Sequence, residues 1–147
     1  SNPPGHEAVA ASLLASWCRE RGLDTRIEGP DGQRTTVLAR WRSRRASGRK
    51  PLMLLSHLDV VPARTERWSH APFGAEIADG RLFGRGALDM KSMTVMEFLA
   101  ISRLRQQGFE PERDIVLVAA ADEALYTSKR SGRNRSTVHG AAAHSAA

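Results

Sequence analysis

The sequence predicts an α/β fold with a mostly parallel central sheet flanked by helices. Three observations carry that reading. Two short apolar runs, within Pro51–Ser56 and Asp114–Ala121, have the length and continuity of buried strands. Two longer segments, about residues 6–21 and 90–107, carry apolar residues at helical spacing. Strand-like and helix-like segments alternate along the chain, which is the pattern of a sheet covered by helices.

Each element has a local cause. Val9, Leu13 and Trp17 recur every four residues, with Leu14 beside them, and define an amphipathic helix that Gly22 is suited to end. Thr25 to Glu28 and Thr35 to Trp41 read as strands separated by the turn-forming Gly29-Pro30-Asp31-Gly32. A basic loop, Arg42 to Lys50, leads to the run at 51–56, expected to be a strand buried on both faces. Residues 62–73 contain two prolines and read as a loop. Gly74 to Ile77 and Arg81 to Phe83 flank Asp79-Gly80, a strong hairpin signal. In the second helix Met93, Met96, Ala100 and Leu104 form one apolar stripe, widened by Phe98, Leu99 and Ile101 until the helix is expected to be largely buried. From Ala124 onward periodicity is lost, and residues 124–147 read as an atypical, disordered tail consistent with a shifted reading frame or an alternative terminus.

Composition excludes several classes. A hydrophobic fraction of 41% with 26% charged residues is that of a globular protein with one core, and no apolar run is long enough to span a membrane. The net charge is +6, but residues 1–123 hold 18 basic against 16 acidic side chains. Lys129, Arg130, Arg133 and Arg135, with no acid among residues 124–147, supply the remaining four charges. The basic loop has no aromatic residues interleaved for base stacking, so no nucleic-acid partner is expected. The single Cys18 cannot form an intramolecular disulfide and favours a reducing, cytoplasmic compartment; it reads as a small buried hydrophobe.

In an open α/β sheet, sites form where strands end. The strand at 51–56 ends in His57-Leu58-Asp59, the strand at 81–83 leads through Gly84-Arg85-Gly86 to Asp89, and the strand at 114–121 ends in Asp122-Glu123. Imidazole and carboxylates from three strand ends suit a zinc site. Residues two apart on an extended chain face the same way, so Asp59 can accept from one ring nitrogen of His57 and leave the other for metal.

The segments Ser56-His57-Leu58-Asp59-Val60-Val61-Pro62, Trp68…Pro72-Phe73 and Asp79-Gly80-Arg81-Leu82-Phe83-Gly84-Arg85-Gly86-Ala87-Leu88-Asp89-Met90-Lys91 resemble, in that order, the co-catalytic zinc peptidase family. That family includes aminoacylase, acetylornithine deacetylase, succinyl-diaminopimelate desuccinylase and several carboxypeptidases. Asn2-Pro3-Pro4-Gly5 and Val116 to Glu123 extend the resemblance to residues 2–123. It implies a phosphorylase/hydrolase-like catalytic domain, of which residues 1–123 are the N-terminal part, with the lid or dimerisation domain absent. It also implies two zinc ions, with cobalt or manganese as alternatives, and a peptide or N-acyl amino acid substrate. His57 resembles a metal ligand, Asp59 the residue that orients it, and Asp89 the carboxylate bridging both metals, with a cis bond to Met90. Glu123 resembles the general base. Where the family places a second glutamate ligand, this sequence has Ala124, and His139 and His144 match no family context. The expected function is metal-dependent hydrolysis of peptide or N-acyl bonds, impaired in the chain as given. The alternative is a non-catalytic fragment that binds metal or none.

Overall fold

The computed structural model describes residues 7–29, 35–45 and 48–121. The 30–32 part of the turn, Asn2 to Gly5, Glu123, Ala124 and the tail with His139 and His144 lie outside the described residues. Helix α1 (Ala8–Glu20) leads to strands β1 (Asp24–Glu28), β2 (Thr36–Trp41) and β3 (Leu52–His57). A hairpin of β4 (Glu76–Ala78) and β5 (Arg81–Phe83), helix α2 (Ser92–Gln106) and strand β6 (Ile115–Ala120) follow.

The main sheet has the order β1-β2-β6-β3. The class is α/β as predicted, but the sheet is mixed rather than mostly parallel among the described residues. The β3·β6 pair is parallel, whereas β1·β2 and β2·β6 are antiparallel. The short 29–35 connection can only return the chain antiparallel, whereas β3 reaches β6 through a crossover containing α2. Both helices pack into one cluster with one face of the sheet, around Val37, Ala39, Leu117 and Ala119. Trp17 meets Phe98 there, with ring centroids 5.7 Å apart.

The helix registers match the predicted stripes only in part: Leu14, Phe98 and Ile101 are buried as expected, and Trp17 and Leu104 pack against the core. The buried face of α1 is Ala11, Leu14, Ala15 and Cys18, while Val9 and Leu13 are exposed. On α2 the buried residues are Thr94, Phe98, Ile101 and Ser102, and Met93, Met96 and Leu99 face outward. Small residues let a helix approach the sheet closely, and a periodicity scored on large apolar residues misses that face. Both helices end in Schellman geometry: Gly22 N–H donates to Arg19 O and Leu23 N–H to Cys18 O, and Gly108 and Phe109 repeat the pattern on Arg105 and Leu104. The hairpin turn falls on Asp79 and Gly80, both at positive φ.

Strand β3 also departs from expectation. Among the described residues it lies at the edge of the four-stranded sheet, and Leu52, Met53 and Leu55 are exposed. An apolar run shows that a strand is sticky, not which neighbours it has.

The basic loop is tied down near both ends. Arg42 pairs with Asp24 at 2.6 Å, Arg49 pairs with Glu112, and the Arg44 N–H donates to Glu110. Asp114 accepts from Ser43 N–H at 2.8 Å and from Arg40 Nε at 2.6 Å. Those contacts, led by the Ser43 N–H, hold the Asp114 carboxyl below its usual pKa. A depressed folded-state pKa stabilises the fold above the unfolded value and the effect fades as pH falls through the folded one. Asp114→Asn will therefore be less stable than the parent near neutral pH, and the gap in urea midpoint will shrink as pH falls below about 4.

Cys18 is fully buried, as its sequence context suggested, and burial pushes its thiol pKa to about 11. The native chain is expected to resist maleimide or disulfide reagents at mildly alkaline pH and to react once denatured. Labelling followed by mass spectrometry checks this. No helix among the described residues is long and apolar enough to cross a membrane.

Candidate metal centre

Strand β3 is hydrogen-bonded to β6 along its length, from Leu52 N–H on Asp114 O to Leu58 N–H on Ala120 O. That ladder sets His57 opposite Ala120 at the carboxyl ends of two parallel strands. The chain then passes through Leu58, Asp59 and Val60, all three buried. The side chain of Asp59 is 8% exposed, and its Oδ1 lies 3.3 Å from His57 Nδ1. The same nitrogen is 3.2 Å from the Asp59 carbonyl oxygen. Asp59 Oδ1 makes no hydrogen bond of good geometry among the described residues.

Asp89 arrives from the other side. Gly86, at φ +82°, begins an irregular wide turn over Ala87–Lys91, in which Asp89 and Met90 leave helical geometry and the Asp89–Met90 peptide bond is cis. Asp89 Oδ1 stands 3.4 Å from His57 Nε2, and its side chain is 88% exposed. Two donors held about 2.0–2.2 Å from one tetrahedral cation stand about 3.3–3.5 Å apart. The His57–Asp89 separation matches that spacing, and an imidazole with a carboxylate is a donor set that zinc accepts. The residues present thus fit a divalent cation as two of its ligands. No group of three or more His, Cys, Asp or Glu converges among the described residues.

The structure therefore brings together His57, Asp59 and Asp89. Glu123 lies outside the described residues, three positions after Ala120 in the sequence.

Two more groups belong to this neighbourhood and were given no role from sequence. Lys91 Nζ donates to Leu58 O at 2.6 Å. Burial lowers the Lys91 pKa, while the Asp59 and Glu7 carboxylates act to raise it. Glu7, at the start of α1, is buried, and neither of its oxygens has a hydrogen-bond partner among the described residues. A lysine closing the turn that carries Asp89 was the available signal, but its partners lie far away in sequence. On α2, burial also raises the Glu97 pKa, partly opposed by the Ser56 hydroxyl. The Trp68…Pro72 segment folds over the turn: Arg85 lies 5.0 Å from the Trp68 ring centroid, and Arg85 N–H donates to Pro72 O.

Residues 53–142 match the sequence model of Peptidase family M20/M25/M40. The chain belongs to that family. It is 36% identical to pig (Sus scrofa) aminoacylase-1 over 84% of its own length and 30% of the relative's. It is 34% identical to the succinyl-diaminopimelate desuccinylase of Parvibaculum lavamentivorans, over 80% of this chain and 29% of that one. Among solved structures it is similar to an M20 family metallo-carboxypeptidase, Sso-CP2, from Sulfolobus solfataricus, with a TM-score of 0.65 at 25% identity. That match covers 86% of this chain and 30% of the other. The chain thus spans about 30% of the length of these two curated relatives. The M20 kinship accounts for the order of its motifs, from the His57 segment to the Asp89 turn.

Proposed function

We propose that this M20 chain forms the N-terminal part of the catalytic domain, over residues 1–123, of a cytoplasmic hydrolase that cleaves peptide or N-acyl amino acid amide bonds with zinc. The 3.4 Å approach of His57 Nε2 to Asp89 Oδ1 carries this reading. These two atoms would hold the cation, and Asp59 would keep the His57 ring turned with Nε2 outward. Zinc, when bound, supplies polarisation of the amide carbonyl and a lowered pKa for the attacking water. The Glu123 carboxylate would take a proton from that water and return it to the leaving amine. Carboxylate exposure at Asp89 leaves room for a substrate carbonyl on the open side of the site.

A second reading, a metal-binding chain without turnover of its own, is favoured by Ala124, which offers no ligand atom beside Glu123. Calorimetric titration with Zn²⁺ tests the shared premise. Losing either direct ligand, by His57→Ala or Asp89→Ala, is expected to weaken binding by more than about 100-fold, the upper end of the loss for an outer-shell partner. Unchanged affinity in both variants sinks the metal site. Zinc-dependent hydrolysis of N-acetyl amino acids by the 147-residue chain would remove the second reading.

A further inference from the structure

We propose that Lys91 is a positioning residue, whose ammonium group latches the Leu58 carbonyl and thereby sets the spacing between His57 and Asp89. The two ligand-bearing segments come from distant parts of the chain, and the exposed Asp89 side chain has little packing to hold it. Its backbone must be placed by its neighbours. Lys91, two residues after Asp89, reaches back 2.6 Å to the carbonyl between His57 and Asp59. The same residue closes its own turn, since Lys91 N–H donates to Gly86 O at 3.0 Å. One side chain therefore ties the exit of β3 to the turn that carries Asp89.

A second contact runs alongside. A Cβ added to Gly86 would meet Val60 Cγ1 at 2.4 Å and Lys91 Nζ at 3.3 Å, so the turn backbone lies directly on the His57–Val60 loop. A cation this close to a dication site would repel the metal unless its charge were offset. The Asp59 and Glu7 carboxylates both act on Lys91, and Glu7 is buried. The ammonium is thus directed at a carbonyl and compensated on its flanks.

The effect on zinc affinity rests on the metal-binding reading above; the effect on ring placement does not. The full chain is compared with Lys91→Met and Lys91→Arg, with folding checked by circular dichroism. In the metal-free protein, Lys91→Met is expected to shift the His57 imidazole nitrogen resonances and weaken the nuclear Overhauser contact from the ring to the Asp89 β-protons. Zn²⁺ affinity should fall by about 10–100-fold, and Lys91→Arg, which keeps a donor, should restore most of both signals. Unmoved His57 resonances in folded Lys91→Met overturn the proposal, whatever happens to affinity. If the parent chain takes up no Zn²⁺, the metal reading fails by itself, and the metal-free resonances still decide the latch. Should Lys91→Met not fold, Lys91→Gln, with a shorter amide donor, is read by the same resonances.

Discussion

Gly86→Ala is expected to destabilise the chain by about 2–5 kcal/mol. Gly86 sits at φ +82°, where an L-residue costs about 1–2 kcal/mol. The new methyl would lie 2.4 Å from Val60 Cγ1. Val60 is buried and its β-branched side chain is stiff, so relief must come from shifting backbone, at about 1–3 kcal/mol. Gly80→Ala is the matched control. Its φ is +70°, but nothing lies within 4 Å of an added Cβ, so only the conformational part should appear. Urea denaturation of both variants separates the two terms, and equal losses would show that the Val60 contact carries none of the effect. Because Gly86 and Val60 belong to the segments that bear Asp89 and His57, the alanine variant should also loosen the site.

Leu117→Ala should cost a similar amount for a different reason. Leu117 is fully buried at the middle of β6, in register with Ala39 on one side and Leu54 on the other. Its neighbour Ala39 is too small to fill the space left behind, and truncation of such a leucine costs about 2–5 kcal/mol. Total stability of a domain this size is about 5–15 kcal/mol, so the variant approaches global unfolding. Leu88→Ala is the contrast: that side chain is 89% exposed, and its loss should fall within about 0.5 kcal/mol. A Leu117→Ala midpoint no lower than that of Leu88→Ala would mean the helix-covered face is not the core.

What the sequence disclosed depended on the range of the physics involved. The Asp79-Gly80 hairpin was legible because both residues tolerate positive φ, a property of two adjacent positions. The α1 terminus was legible for the same reason, through Gly22. Helix facing was not: Val9 and Leu13 looked like the core stripe, whereas Ala11 and Ala15 meet the sheet. Strand neighbours were not legible either, since nothing in Leu52 to Leu55 says that β3 takes the edge. At the site, His57 and Asp59 could be paired by their two-residue spacing and Asp89 placed by the strand end that precedes it, while its metal-bridging role came from the family resemblance. The Lys91–Leu58 contact joins residues 33 apart, and no local rule reaches across that distance.

The parallel register of β3 against β6 limits how such a gene can change length. Removing one residue inside Leu52–His57 would turn the imidazole to the opposite side of the sheet, because successive side chains alternate. Between Pro62 and Phe73 no main-sheet pairing would be disturbed, and codons could be gained or lost there with His57 and Ala120 still opposite one another.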